Sequence, residues 1–158
     1  MSTSVPPTPP GYHSITPYLI IRDAPRAIDF YKRAFGAVEI IRFPGPGNRI
    51  GHAELKFGDS VVMVADENLE MGIRSPESFS GSPVSILLYV PDVDACFNQA
   101  ISVGAKELRP VRDQFYGDRA GSLLDPFGHQ WTLATHIEDI SAEEMHRRSK
   151  AMIQQQAK

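Results

Sequence analysis

The chain has 158 residues, of which 42% are hydrophobic and 22% are charged, and its formal net charge is −3. This balance is typical of an ordinary soluble globular protein, and it gives no electrostatic drive towards nucleic acid or an anionic membrane. No apolar run approaches the roughly 20 residues that a membrane-spanning helix needs. The N-terminal residues lack the charged-then-apolar pattern of a secretion signal, so we do not expect secretion. The single cysteine, Cys96, excludes an internal disulfide, so we expect a cytoplasmic protein without a membrane or nucleic-acid partner.

A Pro-rich lead-in over residues 1–13 is expected to be flexible, and a first module is predicted over residues 14–66. Alternation of apolar and polar residues predicts its strands, while Asp23 and Gly36 are typical of the two ends of a helix. The predicted order is βαβββ, with a strand over Ile15–Arg22, then the helix, then strands over Val38–Phe43, Ile50–Phe57 and Val61–Ala65.

A segment rich in Gly, Ser and Pro, over residues 67–83, is predicted to link this module to a second one over residues 84–137. The second module has the same order, because Asp92 and Gly104 again delimit a helix that follows a strand. Its strands are predicted over Val84–Val90, Lys106–Val111, Tyr116–Leu124 and His129–His136.

Matches between the two modules indicate an internal repeat. Asp23 matches Asp92 at a shift of 69 residues, and Gly58 matches Gly128 at a shift of 70, in the turns of two predicted β-hairpins. The nearly constant shift is what small loop insertions would leave after a duplication.

The remaining residues, 138–158, are predicted to contain a C-terminal helix. Ser141 and Glu144 have the spacing of a capping box, and apolar residues follow at helical spacing. We interpret this helix as one that docks on a sheet face or at a subunit contact.

The second hairpin carries the most specific motif, Asp125-Pro126-Phe127-Gly128 followed by Trp131, and Gly117-Asp118-Arg119-Ala120-Gly121 precedes it. With the two βαβββ modules, these residues resemble the vicinal oxygen chelate superfamily, which includes glyoxalase I, extradiol dioxygenases, fosfomycin-inactivating enzymes and bleomycin-resistance proteins. The closest-looking branch is the glyoxalase/bleomycin-resistance-like one. The resemblance implies an α+β fold in which two βαβββ modules form a cup-shaped mixed sheet with helices on the outside. It also implies a homodimer, whose modules pair within one chain or are exchanged between chains.

In metal-using members, as the resemblance implies, each of four strand positions related by the repeat supplies one ligand. The repeat places Thr16, Val62, Ser85 and Thr132 at these positions. Hydroxyl groups and a valine cannot supply the nitrogen, carboxylate or thiolate that a divalent ion prefers. We therefore predict a cup with no metal and no other cofactor.

Alternation places one set of side chains on the inner wall of the cup and an apolar set, including Trp131 and Leu133, beneath the helices. A concave wall with aromatic rings, hydroxyls and amides suits a small apolar or aromatic molecule. The competing interpretation is that these polar groups satisfy one another or buried water. The predicted ligand-binding residues are Thr16, Tyr18, His52, Glu54, Ser85, Leu87, Tyr89, Gln130 and Thr132.

His52 and Glu54 are the candidate catalytic residues, because alternation places them on one face of a strand. A histidine beside a carboxylate can act as a general base or can hold a displaced divalent metal. Lys56 shares that face, so a solvent-exposed pair is the competing interpretation. His129 and His136 are interpreted as exposed or backbone-bonded, and Arg119 as a residue that either orders the hairpin or contacts an anionic ligand group.

Two hypotheses for the function follow. The first is a protein of bleomycin-resistance type that sequesters a small apolar or aromatic molecule in a metal-free cup. The alternative is a metal-dependent lyase, isomerase or dioxygenase of the same superfamily, with its divalent metal displaced to His52 and Glu54.

Overall fold

The computed structural model describes residues 5–156. None of the helices in this range is long and apolar enough to cross a membrane. Two short 3-10 turns, Leu69–Met71 and Pro76–Phe79, lie between the modules. The strands and α-helices in chain order are β1 (Tyr18–Ile21), α1 (Ala24–Phe35), β2 (Val38–Pro44), β3 (Ile50–Phe57), β4 (Ser60–Asp66), β5 (Ser85–Tyr89), α2 (Val93–Ser102), β6 (Lys106–Asp113), β7 (Asp118–Leu124), β8 (Gln130–His136) and α3 (Ala142–Gln156).

Each module forms its own four-stranded mixed sheet. The strand orders are β1-β4-β3-β2 and β5-β8-β7-β6, so the first strand of each module pairs with its last. These two pairs are parallel, whereas the neighbouring strands joined by short turns are antiparallel. The predicted α+β fold of two βαβββ modules is confirmed.

β1 is shorter than the predicted strand over Ile15–Arg22. Pro17 has no N–H to donate to a strand ladder, and its carbonyl accepts the Met63 N–H at 2.8 Å where the pairing begins. Thr16 therefore lies outside β1, and its hydroxyl donates to the His13 carbonyl at 3.4 Å.

The segment between the modules is fastened to the end of β1 by Glu67. Its carboxylate accepts hydrogen bonds from Arg22 Nε at 2.6 Å, Ser75 Oγ at 2.7 Å and Ser78 Oγ at 3.0 Å. Burial opposes ionisation, but these donors outweigh it and hold the pKa of Glu67 at about 2. The linker is thus held by an ionised carboxylate at neutral pH.

α3 begins where the capping residues predict, because the Ser141 hydroxyl accepts the Glu144 N–H at 3.2 Å. The Glu144 carboxylate accepts from Arg148, which also donates to both oxygens of Glu138. Met152 is 38% exposed and Ile153 is 59% exposed, so the apolar stripe of α3 is not buried within the chain.

One face of each sheet is buried beneath the helices, as alternation predicts. Ile21 and Leu133 are fully buried, and Trp131 is 1% exposed. α1 and α2 also pack against each other, with the half-buried Cys96 placing its Sγ 3.7 Å from the Ala34 carbonyl oxygen. Cys96 is therefore a small residue packed against the core, and burial raises the pKa of its thiol.

A buried carboxylate, Asp125, joins the two modules. Its Oδ2 accepts from the Tyr31 hydroxyl of α1 at 2.7 Å and from the Trp131 indole N–H at 3.0 Å. Its Oδ1 accepts the backbone N–H groups of Phe127 and His129, each at 2.9 Å. Four donors thus satisfy a side chain that is 2% exposed, and they hold the second hairpin against α1.

Trp131 of the second module packs into an aromatic cluster of the first module. Its ring centroid lies 4.9 Å from that of Phe35, 5.4 Å from that of Tyr31 and 5.5 Å from that of Phe57. Aromatic pairs at such distances add about 0.5 to 1.5 kcal/mol each beyond their area burial. The modules therefore share one core.

We expect Asp125→Asn to lower the free energy of unfolding by about 2 to 4 kcal/mol. The amide NH₂ cannot accept the hydrogen bonds that one carboxylate oxygen now accepts, so buried donors lose their partner. Urea unfolding followed by Trp131 fluorescence measures the change. Asp59→Asn is the matched control: Asp59 is exposed in the corresponding turn of the first module, so its replacement should cost less than about 0.5 kcal/mol. Equal losses in the two variants would contradict the role of Asp125.

Candidate functional site

Each sheet has a second face that residues 5–156 leave largely uncovered. On the first sheet, the register places Tyr18 beside Met63, Met63 beside Glu54, and Glu54 beside Ile41. These residues lie on the face opposite the buried Leu55, and Tyr18 is 48% exposed. We call this surface the first open face.

The second sheet repeats the arrangement. Leu87 of β5 lies beside Thr132 of β8, and Thr132 lies beside Ser122 of β7. The opposite face carries the buried Trp131 and Leu133, whereas Leu87 is 48% exposed. We call this surface the second open face.

Three predicted site residues form one hydrogen-bonded network on the first open face. The Tyr18 hydroxyl lies 2.8 Å from His52 Nδ1, and His52 Nε2 lies 3.1 Å from Glu54 Oε1. Burial and then the Glu54 charge raise the pKa of Tyr18, so the phenol stays protonated at neutral pH and donates to Nδ1. In the imidazole form that accepts this bond, Nε2 carries the proton and donates to Glu54.

The lead-in adds Tyr12 to this network, which no spacing in the sequence predicts. Its hydroxyl donates to the second oxygen of Glu54, Oε2. Hydrogen bonds from Tyr12 and then His52 lower the pKa of Glu54, so the carboxylate is ionised at neutral pH. An imidazole oriented by a carboxylate and flanked by phenols can position a polar ligand group or transfer a proton to it.

The sheet register corrects one of the four positions that correspond to metal ligands. Val62 lies beside Leu55 on the buried face, so it cannot reach the open face. The pairing of Tyr18 with Met63 corresponds to that of Leu87 with Thr132, so Met63 is the repeat partner of Thr132. The prediction for Val62 is wrong because the hairpin turns are related by a shift of 70, whereas β1 and β4 are related to β5 and β8 by a shift of 69.

The residues at these four positions do not fit a divalent ion. Met63 offers a thioether, and Thr16, Ser85 and Thr132 offer neutral hydroxyls, whereas such ions prefer imidazole, carboxylate or thiolate. The Thr132 hydroxyl is also 2.9 Å from the Ser122 hydroxyl, which occupies it. Within residues 5–156, no group of three or more His, Cys, Asp or Glu side chains is arranged to hold a metal.

A second polar network lies at the far end of the second open face. The Tyr89 hydroxyl donates to Asp118 Oδ2 at 2.8 Å, and Asp118 Oδ1 lies 2.7 Å from His136 Nδ1. Asp118 is 3% exposed, and the hydrogen bonds that His136 donates to Asp118 and then to Asp139 raise the pKa of His136. Of the two alternatives expected for His136, exposure holds, because its side chain is 52% exposed, and its ring nitrogens bond carboxylates and not the backbone. An Asp that begins a strand gave no signal for this pairing.

Arg119 and His129 have structural contacts. Arg119 donates to both oxygens of Asp94 and to Asp113, so its guanidinium holds β7 to α2. His129 is buried, and its Nε2 lies 3.1 Å from the Ile20 carbonyl oxygen. Of the alternatives weighed for these residues, the ordering role holds for Arg119 and the backbone bond holds for His129.

Three of the six remaining predicted site residues, Ser85, Leu87 and Thr132, line two different depressions. An inter-module cleft of about 550 Å³ includes Tyr18 and Ser85 in its lining. A depression of about 470 Å³ on the second open face, which we call the sheet hollow, includes Leu87 and Thr132 with Leu108, Arg109, Arg112, Tyr116 and Ser122. Within one chain the structure therefore brings Tyr18, His52 and Glu54 together, and Leu87 with Thr132, whereas Thr16, Tyr89 and Gln130 line neither depression.

Sequence and structure comparisons agree with this architecture. Residues 11–133 match the family model of the Glyoxalase/Bleomycin resistance protein/Dioxygenase superfamily. An uncharacterized protein of Mycobacterium tuberculosis (strain H37Rv) is 42% identical over 135 residues, which cover 84% of this chain and 79% of that protein.

Two solved structures illustrate the shared fold. TioX from Micromonospora sp. ML1 is 28% identical, with a TM-score of 0.61 over 82% of this chain and 100% of TioX. The fosfomycin resistance protein FosX from Listeria monocytogenes is 15% identical and shares the fold, with a TM-score of 0.59 over 84% of this chain and 97% of FosX. With its two βαβββ modules and a family match over most of its length, the chain belongs to the Glyoxalase/Bleomycin resistance protein/Dioxygenase superfamily.

Proposed function

We propose that this protein binds and sequesters a small apolar or aromatic molecule in the cytoplasm, in a cup that needs no metal or other cofactor. The observation that carries the proposal is the character of the two open faces. Phe43 is 51% exposed on the first, and Leu87 and Tyr89 are 48% and 58% exposed on the second. Such surfaces cost solvation free energy unless a ligand or another chain covers them.

The hydrogen-bonded network on the first open face supports a binding role. Both ring nitrogens of His52 and both carboxylate oxygens of Glu54 already have partners. A group held in this way presents a fixed polar surface beside the rings of Tyr18 and Phe43, which suits recognition of one polar substituent on a flat molecule.

We also propose that two copies of the chain associate as a homodimer whose open faces together enclose the cup. Exposed apolar side chains on both sheets support this, since a second copy would remove them from water. The ligand would then contact side chains from both protomers.

The metal-dependent alternative has weaker support. At the displaced site, His52 and Glu54 supply two ligating groups, and a metal would have to displace Tyr18 from Nδ1 or Glu54 from Nε2. A catalytic zinc site ordinarily has three protein ligands and an open position.

Protein purified without a chelator is expected to contain no stoichiometric Fe, Mn, Ni or Zn in elemental analysis, because the available donors are too few and too weakly charged. Stoichiometric metal that disappears in both His52→Ala and Glu54→Gln would instead establish the metal-dependent alternative.

We expect Tyr18→Ala and Tyr89→Ala to weaken ligand binding by about tenfold each, because each removes aromatic surface from an open face. A thermal-shift screen of aromatic small molecules, run with and without divalent ions, supplies the ligand, and titration calorimetry measures its dissociation constant. His52→Ala should have a smaller effect. Ile101→Ala on α2 is the control and should keep the wild-type affinity. Unchanged affinity in both tyrosine variants would refute the assignment of the open faces as the ligand-binding surface.

Light scattering after size-exclusion chromatography should give about twice the 17.5 kDa mass of the chain. Phe43→Asp should shift the protein towards monomer, because it places a charge in the proposed contact. Met71→Asp, at a linker side chain that is 72% exposed, is the control. A wild-type protein that is monomeric at all concentrations would disprove the dimer.

A further inference from the structure

Two arginines of β6 reach the same open face although they are three residues apart. The register pairs Arg109 with Ser122 and Arg112 with Ala120, and shifts at Arg109 interrupt the regular alternation. A regular strand would place residues at this spacing on opposite faces, whereas a β-bulge re-aims one of them. Both arginines therefore line the sheet hollow beside Leu87.

The rest of the sheet hollow is neutral. Leu87, Leu108 and Pro110 supply apolar surface, Gln114 and Tyr116 add polar groups, and the lining contains no aspartate or glutamate. Burial and then the nearby Asp118 raise the pKa of Tyr116, so its phenol remains a donor at neutral pH. The hollow combines an apolar wall with an excess of hydrogen-bond donors.

Neither arginine has an acidic partner in the part of the chain that the structure describes. Asp113, which follows Arg112, pairs with Arg119 at 2.8 Å, and Asp118 is engaged with Tyr89 and His136. The half-buried guanidinium of Arg148, in contrast, is paired with two carboxylates. Arg109 and Arg112 therefore place two positive charges on the predicted ligand-binding wall, and neither charge is paired with a carboxylate.

From this juxtaposition we propose that the sheet hollow receives the acidic group of the ligand, so that the ligand is an apolar or aromatic organic acid. A guanidinium offers five donors in a planar fork that matches a carboxylate, sulfonate or phosphonate bidentately. The apolar body of the ligand would lie against Leu87 and Leu108. This inference rests on the proposed binding function and narrows its ligand to an organic anion.

A depression beside the linker provides an internal comparison. This linker hollow, of about 820 Å³, also contains two arginines, Arg49 and Arg74. Its lining includes the carboxylates of Asp66 and Glu67, and the Arg74 guanidinium lies 5.8 Å from the centre of the Phe79 ring. Negative charge beside these arginines makes the linker hollow the less favourable place for an anion.

The test uses matched pairs of aromatic carboxylic acids and their primary amides, such as 2-naphthoate and 2-naphthamide. Thermal shift ranks the pairs, and titration calorimetry on the full chain gives dissociation constants for wild type, Arg109→Gln/Arg112→Gln and the control Arg49→Gln/Arg74→Gln. We expect the acids to bind wild type at least about tenfold more tightly than the amides. That preference should vanish in the Arg109/Arg112 variant, persist in the control and weaken with added salt.

Three outcomes would overturn the inference. Equal binding of acids and amides by wild type would show that no anion site exists, while the proposed binding function would stand. An acid preference lost in the control variant but kept in the Arg109/Arg112 variant would place the anion in the linker hollow. Failure of every aromatic compound, acidic or neutral, to bind the folded protein would remove the proposed function together with this inference.

Discussion

The four hydrogen bonds of Asp125 are the constraint on which the rest of the structure depends. A buried carboxylate without partners would be strongly destabilising, so its donors must keep their positions. Those donors are the hairpin backbone, the Trp131 indole and the Tyr31 hydroxyl of the other module. The same bonds seat Trp131 beneath the helices, and strand alternation then turns Thr132 outwards. The burial of Trp131 in the core therefore determines which face of the second sheet remains open.

The two open faces differ in how their charges are balanced. On the first, the Glu54 carboxylate is held by Tyr12 and His52, so the network is complete within the chain. On the second, Arg109 and Arg112 line a hollow whose lining has no carboxylate. A ligand that spans such a cup would meet a fixed polar network at one side and unbalanced positive charge at the other. This difference in charge would orient an anionic ligand in the proposed site, which apolar walls alone would not do.

The strand register decides which residues occupy the positions that correspond to metal ligands. A shift of one residue moves a side chain from one face of a sheet to the other, and this decides whether Val62 or Met63 corresponds to Thr132. Met63 reaches the open face. Its thioether is nevertheless a poor ligand for a hard divalent ion, as the side chain of Val62 would also be. The scaffold thus keeps the fold of its superfamily, while the side chains at these four positions are poor ligands for a divalent ion.

By itself, the sequence determined the order of the elements, the repeat, the helix ends, the buried faces and the common face of His52 and Glu54. Each of these depends on periodicity or turn chemistry, which act over a few residues. Only the tertiary structure decided that Tyr12 reaches Glu54, that Tyr18 bonds His52, and that Asp118 lies between Tyr89 and His136. These contacts join distant parts of the chain, and the shared face of Arg109 and Arg112 depends on a bulge that breaks the alternation. Neither long-range packing nor an irregular strand leaves a periodic signal in the sequence.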